Sequence, residues 1–195
     1  MTGQFLIAMP AMTDPYFSKT VTYICTHNQD GAMGIIINRH SDITVARLFE
    51  QIKLKTESLS LLTKTVHYGG PVQTERGFIL HTILPAQHDE FNSTIFINNA
   101  VALTTSKDIL EAVAENNGLK NNVPNKTFIA LGYAGWTAGQ LEDEMAQNAW
   151  LSLKCHSLYE THALIFDAPN QDKFQLAMGM MGLNLANLSH SAGHA

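Results

Sequence analysis

The sequence predicts an α+β fold: a single domain over residues 1–195, with a mixed, mainly antiparallel sheet flanked by helices. Three observations carry this. Strand-like runs come in hairpin-like pairs, first at residues 18–27 and 33–38, across the turn residues Asn28, Gln29, Asp30 and Gly31. Helical spacing, as in Val45, Leu48, Phe49 and Ile52, recurs between such pairs. Hydrophobic residues make up 45% of the chain and charged ones 15%. Against a usual charged share of about 25%, that marks a globule able to build a core without disulfides or a structural metal.

In chain order, residues 5–9 are a short apolar run closed by Pro10, and Asp14 with Pro15 marks a turn. The first hairpin follows, with Gly31 placed to take a positive φ. Its return strand, apolar at Ile35, Ile36 and Ile37, is expected to be buried on both faces. A helix is expected over about 44–54 and a polar loop over 55–64. Strands are expected at 65–68 and 77–82, joined through GGPVQTER, and at 93–97 and 100–104, across Asn98 and Asn99. Ser106 caps a helix striped by Ile109, Leu110 and Val113 and stopped by Asn117 and Gly118. A buried strand at 127–132 leads into LGYAGWTAGQLEDEM, and a helix is expected from there to about Leu153. A strand at 162–166 and a Met-rich helix at 173–181 complete the reading.

The stretch LGYAGWTAGQLEDEM has a structural explanation. Thr137 and Gln140 fit the capping-box spacing, with Trp136 and Leu141 at the positions of a hydrophobic staple. Glu142, Asp143 and Glu144 lie near the positive end of the helix dipole. Leu141, Met145, Ala149 and Leu153 recur every four residues as an apolar stripe. The alternative is a ligand-facing corner at Gly132, Tyr133, Gly135 and Trp136, where glycine lets another group approach the backbone. The three acids would repel a phosphate there.

Several segments together resemble one family. GAMGIIIN (31–38), YGGPV (68–72), RGFILH (76–81), LGYAGWTAGQLEDE (131–144) and NAWL (148–151) match, in order, the AlgH/YqgE family of bacterial proteins. The opening FLIAMPAMTDPYF and the closing AGHA are similar to that family's ends. The resemblance implies an α+β fold around a branched, partly barrel-like sheet. The family name comes from a proposed role in transcriptional regulation of alginate production, and no catalytic residue carries over from it. Cys25 falls where similar members also have cysteine and histidine two apart, and Gly135 stands where others have serine.

Read for chemistry, Cys25 and His27 lie two apart on a predicted strand and so share a face. A histidine beside a thiol can make a nucleophile or a redox sensor. The competing reading is a buried cysteine packed as a small hydrophobe. His67, Tyr68, Gly69, Gly70 and Pro71 form a tight loop at the mouth of a pocket, or else Gly69, Gly70 and Pro71 are an ordinary strand-ending turn. If there is one site, it is expected to gather Cys25 and His27, this turn and the corner from Gly132 to Trp136.

The exclusions are plainer. No metal-ligand spacing, cofactor motif or complete catalytic constellation is present, so whether the protein is an enzyme stays open. His190 and His194, four apart, read as part of a flexible tail, and His81 as a strand residue. A net charge of −5 with scattered basic residues disfavours direct nucleic-acid binding. The opening MTGQFLIAMPAMTDP lacks a basic segment, no apolar stretch reaches the roughly 18 residues of a membrane span, and the two cysteines form no framework. The expectation is therefore a cytoplasmic protein with reduced thiols. Its expected role is binding a small molecule or a protein partner, with a regulatory effect. A thiol-dependent enzyme or redox sensor and a transcriptional regulator are the alternatives.

Overall fold

In a computed structural model, which describes residues 1–83, 91–115 and 123–183, the chain folds around one branched sheet. The first strands are β1 (Phe5–Ala8), β2 (Val21–Asn28), β3 (Gly31–Ile36) and β4 (His40–Thr44). Helices α1 (Val45–Gln51) and α2 (Leu59–Leu62) follow. Next come β5 (Thr65–Tyr68), β6 (Val72–Thr82), β7 (Thr94–Phe96), β8 (Val101–Thr104) and helix α3 (Asp108–Glu115). The last third holds β9 (Thr127–Thr137), α4 (Gln140–Ala146), β10 (Trp150–Leu153), α5 (Leu158–His162), a π-helical turn (Ala163–Asp167) and α6 (Asn170–Met180).

The strand order is β10-β1-β2-β3-β9-β6-β8-β7, with β5 and β4 branching off β9. All neighbours are antiparallel except β5 and β9. The sheet curls into a half-barrel with helices packed on it, as an α+β protein. The branch lies at Gly132. Before it, β9 pairs with β5 through Ala130 and Leu131; after it, Ala134 to Thr137 pair with β3. Gly132 takes φ +72°, the left-handed turn that lets one strand change neighbours. Gly69 bridges the fork: its N–H donates to the Leu131 carbonyl and its own carbonyl accepts from the Ile36 N–H, each at 2.8 Å.

Several expected elements differ. The strand expected to end at 132 runs on to Thr137, so the glycine corner is a kink inside a strand. The following helix ends at Ala146, where the chain turns through Asn148 at φ +57°. Trp150 to Leu153 then pair with β1 as strand β10, placing Leu153 in the core from a strand. Of the capping box, only the return bond forms, with the Thr137 N–H donating to Gln140 Oε1 at 3.0 Å. The helix N-cap is Gly139, with no side-chain cap. Residues 162–166, expected as a strand, belong to the helical segment of α5 and the π turn. A short run such as Ala163, Leu164, Ile165 and Phe166 cannot be assigned by periodicity. The polar loop at 55–64 contains α2, and β6 begins five residues early, at Val72, through a bulge. The proposed helix stop at Asn117 and Gly118, and the tail histidines His190 and His194, lie outside the described residues.

The core has three parts. One packs α6 and the π turn against β1, β2, β3, β6 and β9, around Tyr23, Ile35 and Leu80. A second holds α1 and α3 on β5, β6 and β9, around Phe49, Val66 and Ile109. The third lies under α4, with Leu6, Ile24, Trp136, Leu141 and Trp150. Strand β1 is buried on both faces, Phe5 and Ile7 facing one core and Leu6 and Ala8 another.

Candidate functional site

The residues singled out from sequence fall into three environments. Cys25 is fully buried beside Tyr23, and its thiol approaches the Tyr23 carbonyl at 3.6 Å. Burial pushes this thiol well above its ordinary range, against a smaller opposing effect of the Ile35 backbone. Cys25 sits at a bulge, because pairing steps from Ile24 opposite Gly34 to Thr26 opposite Met33. The extra residue reverses the alternation of side chains. His27 therefore pairs with Ala32, which faces the core under α4, while Cys25 belongs to the core around Tyr23. The spacing that predicts a shared face thus sets the two residues on opposite faces. His27 Nε2 contacts Glu142 Oε1 at 2.6 Å, and its Nδ1 lies 3.1 Å from the Met1 amine.

Gly69 and Gly70, next to Pro71 in the chain, do come together with Gly132, but backbone against backbone. A Cβ on Gly69 would stand 2.2 Å from the Gly132 carbonyl oxygen, and one on Gly70 would stand 2.1 Å from the Tyr133 carbonyl carbon. The glycines close this junction and leave no room between them for a ligand. Tyr133, Gly135 and Trp136 instead line an open depression of about 510 Å³ with Thr26, Asn28 and Val72. Neither Cys25 nor His27 lines it. Trp136 is further tied to structure: its indole N–H and that of Trp150 both donate to Glu144 Oε2, at 2.9 and 2.8 Å.

The arrangement with the most chemistry lies elsewhere, in a cavity of about 280 Å³ bounded by β4, β5, β9, the π turn and the start of α6. Its ionisable lining is His40, Lys64, His67 and Lys173, with Asn170 beside them and no carboxylate among the described lining residues. His40 and His67 are cross-strand partners, so their rings stack at 5.6 Å. His67 in turn stacks on Phe128 at 3.9 Å.

Burial lowers His67 to about 4, outweighing the raising effect of the Ile129 carbonyl, with Lys173 and His40 pushing the same way as burial. At neutral pH the ring is therefore uncharged. Its contact with the Ile129 carbonyl, 3.1 Å from Nδ1, then fixes the proton on Nδ1 and leaves Nε2 as an acceptor.

Lys173 forms the floor. It is 2% exposed, and its Nζ donates to the carbonyls of Ile37 at 2.9 Å and Ile165 at 2.8 Å. Both carbonyls are free for local reasons: β3 ends at Ile36, and Ile165 lies in the last turn of the π-helical segment. Nζ also stands 4.8 Å from the centre of the Phe128 ring. Burial lowers Lys173 to about 7, partly offset by Asp167. That carboxylate is itself bound by Lys126 at 2.6 Å.

In sequence His67 stands out only as part of the loop that runs to Pro71, and nothing marks Lys173, His40, Lys64 or Asn170 as site residues. The one local signal, a lysine in the first turn of a helix after a proline, is ordinary surface chemistry until distant carbonyls converge on it. A larger hollow of about 1080 Å³ near Phe49, Leu54 and Leu62 has lysines and glutamates mixed along its walls. Among the described residues there is no group of three or more His, Cys, Asp or Glu poised for a metal ion, and no helix is long and apolar enough to cross a membrane.

Comparison with known proteins agrees with this architecture. The UPF0301 protein of Ralstonia pickettii is 47% identical, over 100% of this chain and 95% of its own length. The UPF0301 protein of Thiobacillus denitrificans is 49% identical, over 100% and 97%. The solution structure of the AlgH protein from Pseudomonas aeruginosa is similar at a TM-score of 0.76 and 41% identity, over 100% of this chain and 95% of that one. A crystal structure of a Corynebacterium diphtheriae protein, 18% identical with a TM-score of 0.65 over 97% and 90% of the two chains, shares the fold. A family profile described as AlgH-like matches residues 5–186, and with relatives matching over the whole chain, this protein belongs to the AlgH-like family.

Proposed function

We propose that this protein binds a small organic anion in the cavity floored by Lys173, and that binding, rather than turnover, is its regulatory output. The observation that carries this is the make-up of the lining: two lysines and two histidines, of which His67 is uncharged at neutral pH, and no acid among the described residues. This occurs in a chain of net charge −5, where a local excess of bases is not expected from composition. Lys64 and His40 are exposed at the rim and Lys173 is buried at the floor, so an anion would meet a lysine at the entrance and hydrogen-bond donors at the bottom. A volume of about 280 Å³ suits a short carboxylate rather than a nucleotide. We place this role in the cytoplasm, as the sequence suggests. Thiol chemistry at Cys25 has less support, since a thiol held protonated by burial is a poor nucleophile.

The test is thermal unfolding with acetate, lactate, pyruvate and succinate at constant ionic strength. At one hundred times Kd a bound ligand stabilises by about 2.7 kcal/mol, a rise of roughly 5–10 °C for a chain of this size. The rise should saturate and should shrink in Lys64→Gln and His40→Gln. If none of the four anions raises the midpoint above that in chloride, the reading is wrong.

A further inference from the structure

We propose that Lys173 captures a short-chain oxo acid as a reversible imine, the ligand's carboxylate being held by Lys64 and His40 at the rim. This rests on the anion-binding reading above and names the ligand class for the same cavity. The geometry at Nζ is the starting point. An ammonium has three N–H bonds and an amine two, and Lys173 donates to two acceptors, the carbonyls of Ile37 and Ile165. Loss of one proton keeps both hydrogen bonds and uncovers a lone pair.

No carboxylate among the described lining residues stabilises the charged form, and Asp167 is occupied by Lys126. Desolvation acts in the same direction, lowering the group to about 7. Lysines made nucleophilic in this way are those that form Schiff bases with carbonyl substrates. Apart from Lys64 and His40 at the rim and His67, the other described lining residues with polar side chains are hydroxyls and an amide, none of which competes for a carbonyl carbon.

The step balances without an outside oxidant or reductant. The Nζ lone pair attacks the carbonyl carbon, the C=O π pair moves to oxygen, and the proton leaving nitrogen passes to that oxygen to give a carbinolamine. Nitrogen then expels the hydroxyl, which takes the second nitrogen proton and leaves as water, and a C=N bond forms. His67, neutral with Nε2 unprotonated and lining the same cavity, is the base that relays these protons. A protonated imine, having taken one proton from solvent, retains an N–H for one of the two backbone carbonyls. Water reverses each step, so the product is a bound state.

The experiment is trapping of the intact protein with pyruvate and cyanoborohydride near pH 7.5, followed by peptide mapping. Lys173 should carry the reduced adduct about tenfold or more faster than any other lysine, because its neutral fraction far exceeds that of an exposed amine. The unreacted protein serves as its own folding control, and Lys173→Met, if folded by circular dichroism, should lose the adduct. Reduced adducts spread over exposed lysines with Lys173 unmodified would overturn the proposal, as would no adduct at all. If pyruvate raises the unfolding midpoint but no adduct is trapped, the imine fails and anion binding stands. If pyruvate does neither, the imine fails, and the anion-binding reading fails with it only when acetate, lactate and succinate also leave the midpoint at its value in chloride.

Discussion

At the scale of single residues, the glycines of the branch point show how a motif that looks functional can be required for packing. Gly69 and Gly139 separate two reasons for glycine. A Cβ on Gly69 would meet the Gly132 carbonyl oxygen at 2.2 Å, although Gly69 does not take a positive φ. Gly139 has φ +78° with nothing within 4 Å of its added Cβ. Gly139→Ala should cost about 1 kcal/mol, the usual penalty for alanine in the left-handed region. Gly69→Ala must move backbone at the fork of the sheet and should cost about 3 kcal/mol or more. Urea unfolding of the two variants measures the difference. Equal losses would mean that β5 can slide away from β9, and that the fork is softer than its hydrogen bonds imply.

At the scale of elements, the start of α4 makes the same distinction between pattern and geometry. The spacing of Thr137 and Gln140 predicts a reciprocal cap, but Thr137 is the last residue of β9 and the helix begins behind Gly139. Thr137→Ala should therefore change stability by no more than about 0.5 kcal/mol. Gln140→Ala removes the acceptor for the Thr137 N–H and the donor to Glu144 Oε1, and should cost about 1 kcal/mol. Chemical denaturation of both variants checks the order, and a larger loss at Thr137 would restore the capping box. Hairpins such as β2 with β3 and β7 with β8 were legible in sequence because their turns and alternation are local. Strand β10 was not, because its partner is β1, and the apolar residues at 141, 145, 149 and 153 mimic a helix stripe. The candidate site was still less legible. Lys173 lies 136 residues from Ile37, and only folding makes their contact. The bulge at Cys25 is similarly invisible to a period-two reading, yet it decides which residues share a face with the thiol.

At the scale of the whole molecule, buried titratable groups set how stability follows pH. His67 and Lys173 are both lowered by burial, to about 4 and about 7. The unfolded chain therefore binds more protons than the native one between about 4 and the ordinary 6.5 for His67, and between about 7 and the ordinary 10.5 for Lys173. Stability rises with pH across both windows. Tyr23 and Cys25 act oppositely, since burial raises both and the native state keeps protons that the unfolded chain loses above its ordinary values of 10.0 and 9.0. Stability from them is full below about 9 and falls above it. The charged or titratable groups around Lys173 are His40, Lys64 and His67 in the cavity lining and Asp167 in the π turn; of these Asp167 favours the ammonium, and it is shared with Lys126. The sum is a stability curve that climbs through neutral pH and turns over near pH 9, on the alkaline side of the usual maximum between about 5 and 8. Urea midpoints measured from pH 5 to 10 should show it, and Lys173→Met should flatten the climb between 7 and 9 while leaving the fall above 9 in place. A wild-type maximum below pH 7 would mean that the Lys173 ammonium is not disfavoured in the folded protein, and with it the supply of neutral amine on which capture of a carbonyl depends.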